Sequence, residues 1–149
     1  MYLSEASGAI LDVLKSGGAV SFVTAGVSMV PTLRDRRDKV TLTGLSKPPR
    51  KNDIVLYTRA DGSFVLHRVV GRDRDGYILR GDNQWVNERG VAPRQIIAAV
   101  RSIERNGKTI ECAGLRFRLY GAALPAVRFF RKNIYPIYVR LISIFLKQK

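Results

Sequence analysis

Apolar residues recur at helical spacing near the start of the chain, where Ala6, Ala9, Ile10, Val13 and Leu14 share one face. The pattern predicts a helix over residues 4–15, capped by Ser4 and ended by Gly17-Gly18. The period then shortens to two. Val20-Ser21-Phe22-Val23 reads as a β-type run, and further strands are predicted at 39–43, 53–58, 63–70 and 76–80. Turn-rich stretches such as Lys47-Pro48-Pro49 and Asp73-Arg74-Asp75-Gly76 separate them. Residues 96–104 and 108–112 flank Asn106-Gly107, which predicts a hairpin with a type I′ turn. The expected organisation is an N-terminal helix (1–19), a β domain (20–112) and a C-terminal tail (113–149), giving a mostly β, α+β fold. A chain of 149 residues, 46% of them hydrophobic, suits one domain with a moderate core.

The tail changes the picture. Beyond Glu111 it holds no acidic residue, within a chain whose formal net charge is +14. On a helical wheel Ile134, Ile137, Tyr138, Leu141 and Phe145 face one way and Arg140, Ser143 and Lys147 the other, which predicts a basic amphipathic helix. Arg140 and Pro136 interrupt the apolar run before it reaches the roughly 20 residues that span a bilayer. No positive segment followed by an apolar one opens the chain, so no secretory signal is expected. The expected location is cytoplasmic or peripheral to a membrane. The tail could meet an anionic membrane surface, a partner or the body of the protein itself. Positive charge also suits a nucleic-acid-binding module, but a single helix precedes the β region, so no helix-turn-helix forms and nucleic acid is not the expected partner. Cys112 is the only cysteine and His67 the only histidine, which excludes an intramolecular disulfide and a multi-ligand zinc centre; no metal or cofactor is expected.

Candidate chemistry centres on Gly26-Val27-Ser28-Met29-Val30-Pro31-Thr32-Leu33. Pro31 fixes its own φ and pushes Val30 toward extended geometry, so the segment is expected to hold the Ser28 hydroxyl at a strand end. A serine needs a base within hydrogen-bond reach to act as a nucleophile, and His67 is the sole imidazole. Strand alternation places Val65, His67 and Val69 on one face.

Ser-Met-x-Pro-Thr-Leu at 28–33 resembles the nucleophile box of type I signal peptidases and their LexA-like relatives. Lys51-Asn52-Asp53-Ile54-Val55, Leu66-His67-Arg68-Val69-Val70-Gly71 and Leu79-Arg80-Gly81-Asp82-Asn83 resemble three further boxes in the same order. Four boxes in order are more specific than any one of them. A histidine at position 67, where common bacterial enzymes carry lysine, is similar to the archaeal and endoplasmic-reticulum branch. The resemblance implies a coiled β-sheet fold and a serine endopeptidase that removes a leader or signal segment from peptide substrates through a Ser28, His67 and acid arrangement. The acid is Asp82 or Glu88. Asp82 is favoured from the Gly-Asp-Asn box, while Glu88 in Val86-Asn87-Glu88-Arg89-Gly90 aligns with an aspartate of the histidine branch. Gly26 stands where many relatives carry a serine, so backbone amides are expected to hold the oxyanion. Gly26, Met29 and Pro31 are the expected oxyanion and substrate surroundings. The membrane anchor that usually precedes the serine is not expected here, since Ser28 lies so near the start. An inactive peptide-binding relative is the alternative.

Overall fold

The computed structural model describes residues 7–134. Ser4 as a helix cap and the wheel-based reading of residues 135–147 lie outside the described residues.

The first element, α1 (Ser7–Lys15), ends where Gly17 turns left-handed (φ 83°) and the Gly18 N–H bonds the Val13 carbonyl at 2.9 Å. Eight strands follow: β1 (Ala19–Val23), β2 (Lys39–Gly44), β3 (Ile54–Thr58), β4 (Phe64–Arg72), β5 (Tyr77–Arg80), β6 (Glu88–Val91), β7 (Ile96–Arg105) and β8 (Lys108–Glu111). A second helix, α2 (Leu115–Asn133), closes the described chain. All strands join one antiparallel sheet in the order β1-β2-β7-β3-β4-β5-β6, with β8 paired to the far end of β7, past β3 and on the edge opposite β2. The fold is therefore mostly β with two helices.

β3 lies between β7 and β4, and Ile54, Val55, Leu56 and Tyr57 are all buried because a core forms on each face. Leu56 and Ile54 join Met29, Leu33, Leu42 and Phe117 on one side; Val55 and Tyr57 join Val69, Leu79 and Val91 on the other. Register breaks at Thr41/Leu42, Leu56/Tyr57, Val69/Gly71 and Tyr77/Leu79 mark bulges, which bend and twist strands. β4 pairs with β3 through Phe64–Arg68 but with β5 only from Arg68 onward. The outer edge of β4 over 64–67 and that of β1 therefore lack a strand partner among the described residues.

The β7–β8 hairpin carries positive φ at both Asn106 (51°) and Gly107 (73°), as a type I′ turn requires. Two elements lack a strong sequence signal. β6 contains a single large apolar residue, Val91, and α2 runs through Gly121 and Pro125, both poor helix formers. Cys112 is buried in the core, and burial pushes its thiol up to about 12, far from a reactive thiolate. No helix among the described residues is long and apolar enough to cross a membrane.

Candidate active site

The β3–β4 register sets Val55 opposite His67 and Tyr57 opposite Val65, so Tyr57 and His67 project from the same face of adjacent strands. His67 is fully buried. Its Nδ1 lies 3.1 Å from the Tyr57 hydroxyl and 3.3 Å from Glu88 Oε1, whereas its Nε2 is buried and has no hydrogen-bond partner among the described residues. The Tyr57 hydroxyl has one proton and donates it to Glu88 Oε2 at 2.5 Å. Its oxygen is left to accept from Nδ1–H, which places the ring proton on Nδ1 and a lone pair on Nε2. That is the tautomer a general base needs.

Glu88 reaches this site from the start of β6, where Leu79 pairs with Glu88 across the β5–β6 ladder. Arg59, one residue past β3, grips the same carboxylate through Nε (3.0 Å) and Nη2. The Arg59 hydrogen bonds hold the Glu88 carboxyl below the usual range against the opposing pull of partial burial, and Tyr57 adds to the depression. For His67 the balance falls the other way. Burial pushes the imidazole from 6.5 down to about 4; Glu88 opposes this, and Arg59 reinforces it. The ring is neutral at pH 7.

Asp82, the favoured acid from sequence, does not face the imidazole. Its carboxylate forms a two-pronged pair with Arg68, Nε to Oδ1 at 2.8 Å and Nη2 to Oδ2 at 2.7 Å, and accepts from the Thr32 hydroxyl. The reason is strand alternation: Arg68 follows His67 and points to the opposite face, and the turn after β5 delivers Asp82 to that face. Arg68 Nη1 also donates to the Asn52 carbonyl at 2.7 Å, with Asn52 in a left-handed conformation (φ 78°) that asparagine tolerates better than most residues.

Ser28 sits in a loop of successive turns between β1 and β2 rather than at a strand end. Two buried carboxylates fix that loop. Asp38 takes hydrogen bonds from the Arg34 amide (2.8 Å), the Arg34 Nη2 (2.8 Å) and the Arg105 Nη2 (2.5 Å), and Arg105 also bonds the Thr32 carbonyl (2.8 Å). Burial raises the Asp38 carboxyl, but these bonds override it and hold the group at about 2. At the other side Asp82 holds Thr32, and the Asn83 N–H bonds the Ser28 carbonyl at 2.8 Å. A Cβ at Gly81 would come within 2.6 Å of that carbonyl, so only glycine lets the turn close on it.

The Ser28 loop is thereby tied to the turn after β5, whose Asp82 pairs with the neighbour of His67, but Ser28 and His67 share no hydrogen bond. The Ser28 N–H has no acceptor among the described residues and is available as an oxyanion donor. Gly26 is not so placed: its N–H donates to Asp35 Oδ1 at 2.7 Å, with φ at 103°. Met29 is a core side chain, and Pro31 is exposed and follows a cis peptide bond. Beside Ser28 lies an apolar groove of about 490 Å³, walled by β1 (Val20, Phe22) and the start of β4 (Phe64, Leu66), with Met29 and Leu56 at its base. Its walls are two strands whose outer edges carry no strand partner there among the described residues.

Sequence reasoning missed Tyr57, Arg59, Arg68 and Thr32. Arg68 and Thr32 stand inside the boxes already quoted, and the alternation that pairs Tyr57 with Arg59 on one face of β3 was available as a signal. Among the described residues no group of three or more His, Cys, Asp or Glu side chains is arranged to hold a metal ion. Comparison with known proteins found no family model and no curated protein that matches the chain.

Proposed function

We propose that this protein is a serine endopeptidase of the signal-peptidase type, in its histidine branch, that removes a leader segment from peptide substrates. The observation that carries this reading is His67: a buried, neutral imidazole, its Nδ1 held by Tyr57 and Glu88, its Nε2 without a partner among the described residues. A bent antiparallel sheet agrees with the coiled signal-peptidase and LexA-like fold that belongs to the same proposal.

In this mechanism the Ser28 Oγ attacks the scissile carbonyl while Nε2 takes the hydroxyl proton. The Ser28 N–H supports the oxyanion. The C–N bond then breaks, Nε2 returns the proton to the leaving amine, and water hydrolyses the ester by the same route in reverse. Glu88 and Tyr57 hold the ring and stabilise the transient imidazolium. Arg68 and Asp82 act one step back, positioning the Ser28 loop. Substrate lies extended in the groove, pairing with the open edges of β1 and β4, and its side chains enter the apolar floor. Hydrogen bonds that close only with substrate bound account for the absence of a Ser28–His67 bond in the free protein.

Candidate leader peptides incubated with the wild type, Ser28→Ala and His67→Ala, and followed by mass spectrometry, test the reading. Each substitution is expected to lower kcat by at least about 10³. Equal cleavage by all three removes the mechanism. The complete burial of His67 and the missing Ser28 contact favour a second reading, a peptide-binding module without hydrolysis; peptide binding with no product from the wild type supports it.

A further inference from the structure

α2 is apolar on two opposite sides. One side is docked: Phe117, Gly121, Leu124 and Arg128 are its buried positions, spaced four, three and four residues apart. Across the helix, Leu115 (69% exposed), Leu119 (60%), Phe129 (61%) and Phe130 (54%) face solvent, joined by the exposed Ala122 and Ala126. Arg116 and Arg118 lie on the two flanks of this outer face, at about 100° per residue around the helix. α2 contains no Asp or Glu, and no acid follows it in the sequence.

We propose that the outer face of α2 docks on an anionic lipid bilayer, its leucines and phenylalanines entering the interface and its arginines meeting the headgroups. This goes beyond the peptidase reading and does not depend on it. Charge complementarity selects this occupant. A second copy paired face to face would bring the same arginines together with no carboxylate between them. Nucleic acid would satisfy the cations but leave the aromatic and aliphatic face in water. A bilayer surface with anionic headgroups satisfies both, and arginine stems reach over apolar surface to place their charge outside it.

The test uses the full chain with vesicles of phosphatidylcholine alone or mixed equally with phosphatidylglycerol, read by co-sedimentation. Binding is expected only to the mixed vesicles, and it weakens as salt is raised. Arg116→Gln with Arg118→Gln is expected to weaken binding by about fivefold for each cation removed. Leu119→Ser with Phe130→Ser, at exposed positions, is expected to abolish binding while circular dichroism and the thermal midpoint stay as in the wild type. Equal binding to both vesicle types, or unchanged binding by both double variants, overturns the proposal. So does a concentration-dependent dimer in lipid-free buffer that Leu119→Ser with Phe130→Ser abolishes, since the face would then belong to a second copy.

Discussion

A histidine in water loses its charge near pH 6.5, and the burial of His67 moves that point to about 4. The base form needed for proton abstraction is therefore already present at pH 5. If His67 is the base, peptide cleavage is expected to hold its neutral-pH rate down to about pH 5 and fall as the pH drops through about 4. Arg59 is one of the causes of the depression and also engages the Glu88 carboxylate that lies 3.3 Å from the ring. Arg59→Gln is expected to move the acid limb of the same profile upward by about one pH unit. A profile that does not respond assigns the limb to another group. Glu88 thus serves the ring and the guanidinium together, a division of labour that the order of residues in Val86-Asn87-Glu88-Arg89-Gly90 does not contain. Which of two carboxylates meets an imidazole is decided by strand faces and by the turn after β5, and only coordinates give those.

At the scale of elements, the helix and strand periods before Arg80, and the β7–β8 hairpin, were legible because apolar alternation and turn residues agree there. β6 was not, because its place in the sheet comes from pairing with β5 rather than from its own polar residues. α2 also depends on tertiary contacts. Its Gly121 is where it meets the site: a Cβ there would lie 2.8 Å from Arg68 Nη1 and 3.2 Å from Asn52 Cβ. Helix propensity alone would make Gly121→Ala stabilising by up to about 1 kcal/mol. Arg68 cannot retreat, since Asp82 and the Asn52 carbonyl hold it and Phe117 lies 5.4 Å beneath it. Gly121→Ala is therefore expected to lower stability in urea titrations. A gain would mean that the Arg68 clamp yields easily.

Across the whole molecule, the buried imidazole makes stability depend on pH. The folded value of His67, about 4, lies below the unfolded value of 6.5, so the unfolded chain binds the extra proton between them. Its contribution is complete above pH 6.5 and is lost as the pH falls to about 4, by about 3 kcal/mol over that window. Urea midpoints measured at pH 7 and pH 4.5 are expected to separate for the wild type and to converge for His67→Gln. The lowered Asp38 carboxyl titrates at about 2 and acts below that window. The mostly β class was readable from the sequence. The groove was not, because its walls, β1 and the unpaired start of β4, are some forty residues apart in the chain and meet only through the sheet order.

The loop between β1 and β2 is moored at two separate points, by Asp38 from one side and by Asp82 from the other. Loss of either mooring would leave the loop held from one side only and a cation without its carboxylate, so such a variant would be less stable and hold Ser28 less firmly. If the peptidase proposal holds, hereditary drift should then spare these two carboxylates, while change in what the protein accepts should accumulate along the walls of the groove, whose Val20, Phe22, Phe64 and Leu66 carry no charge.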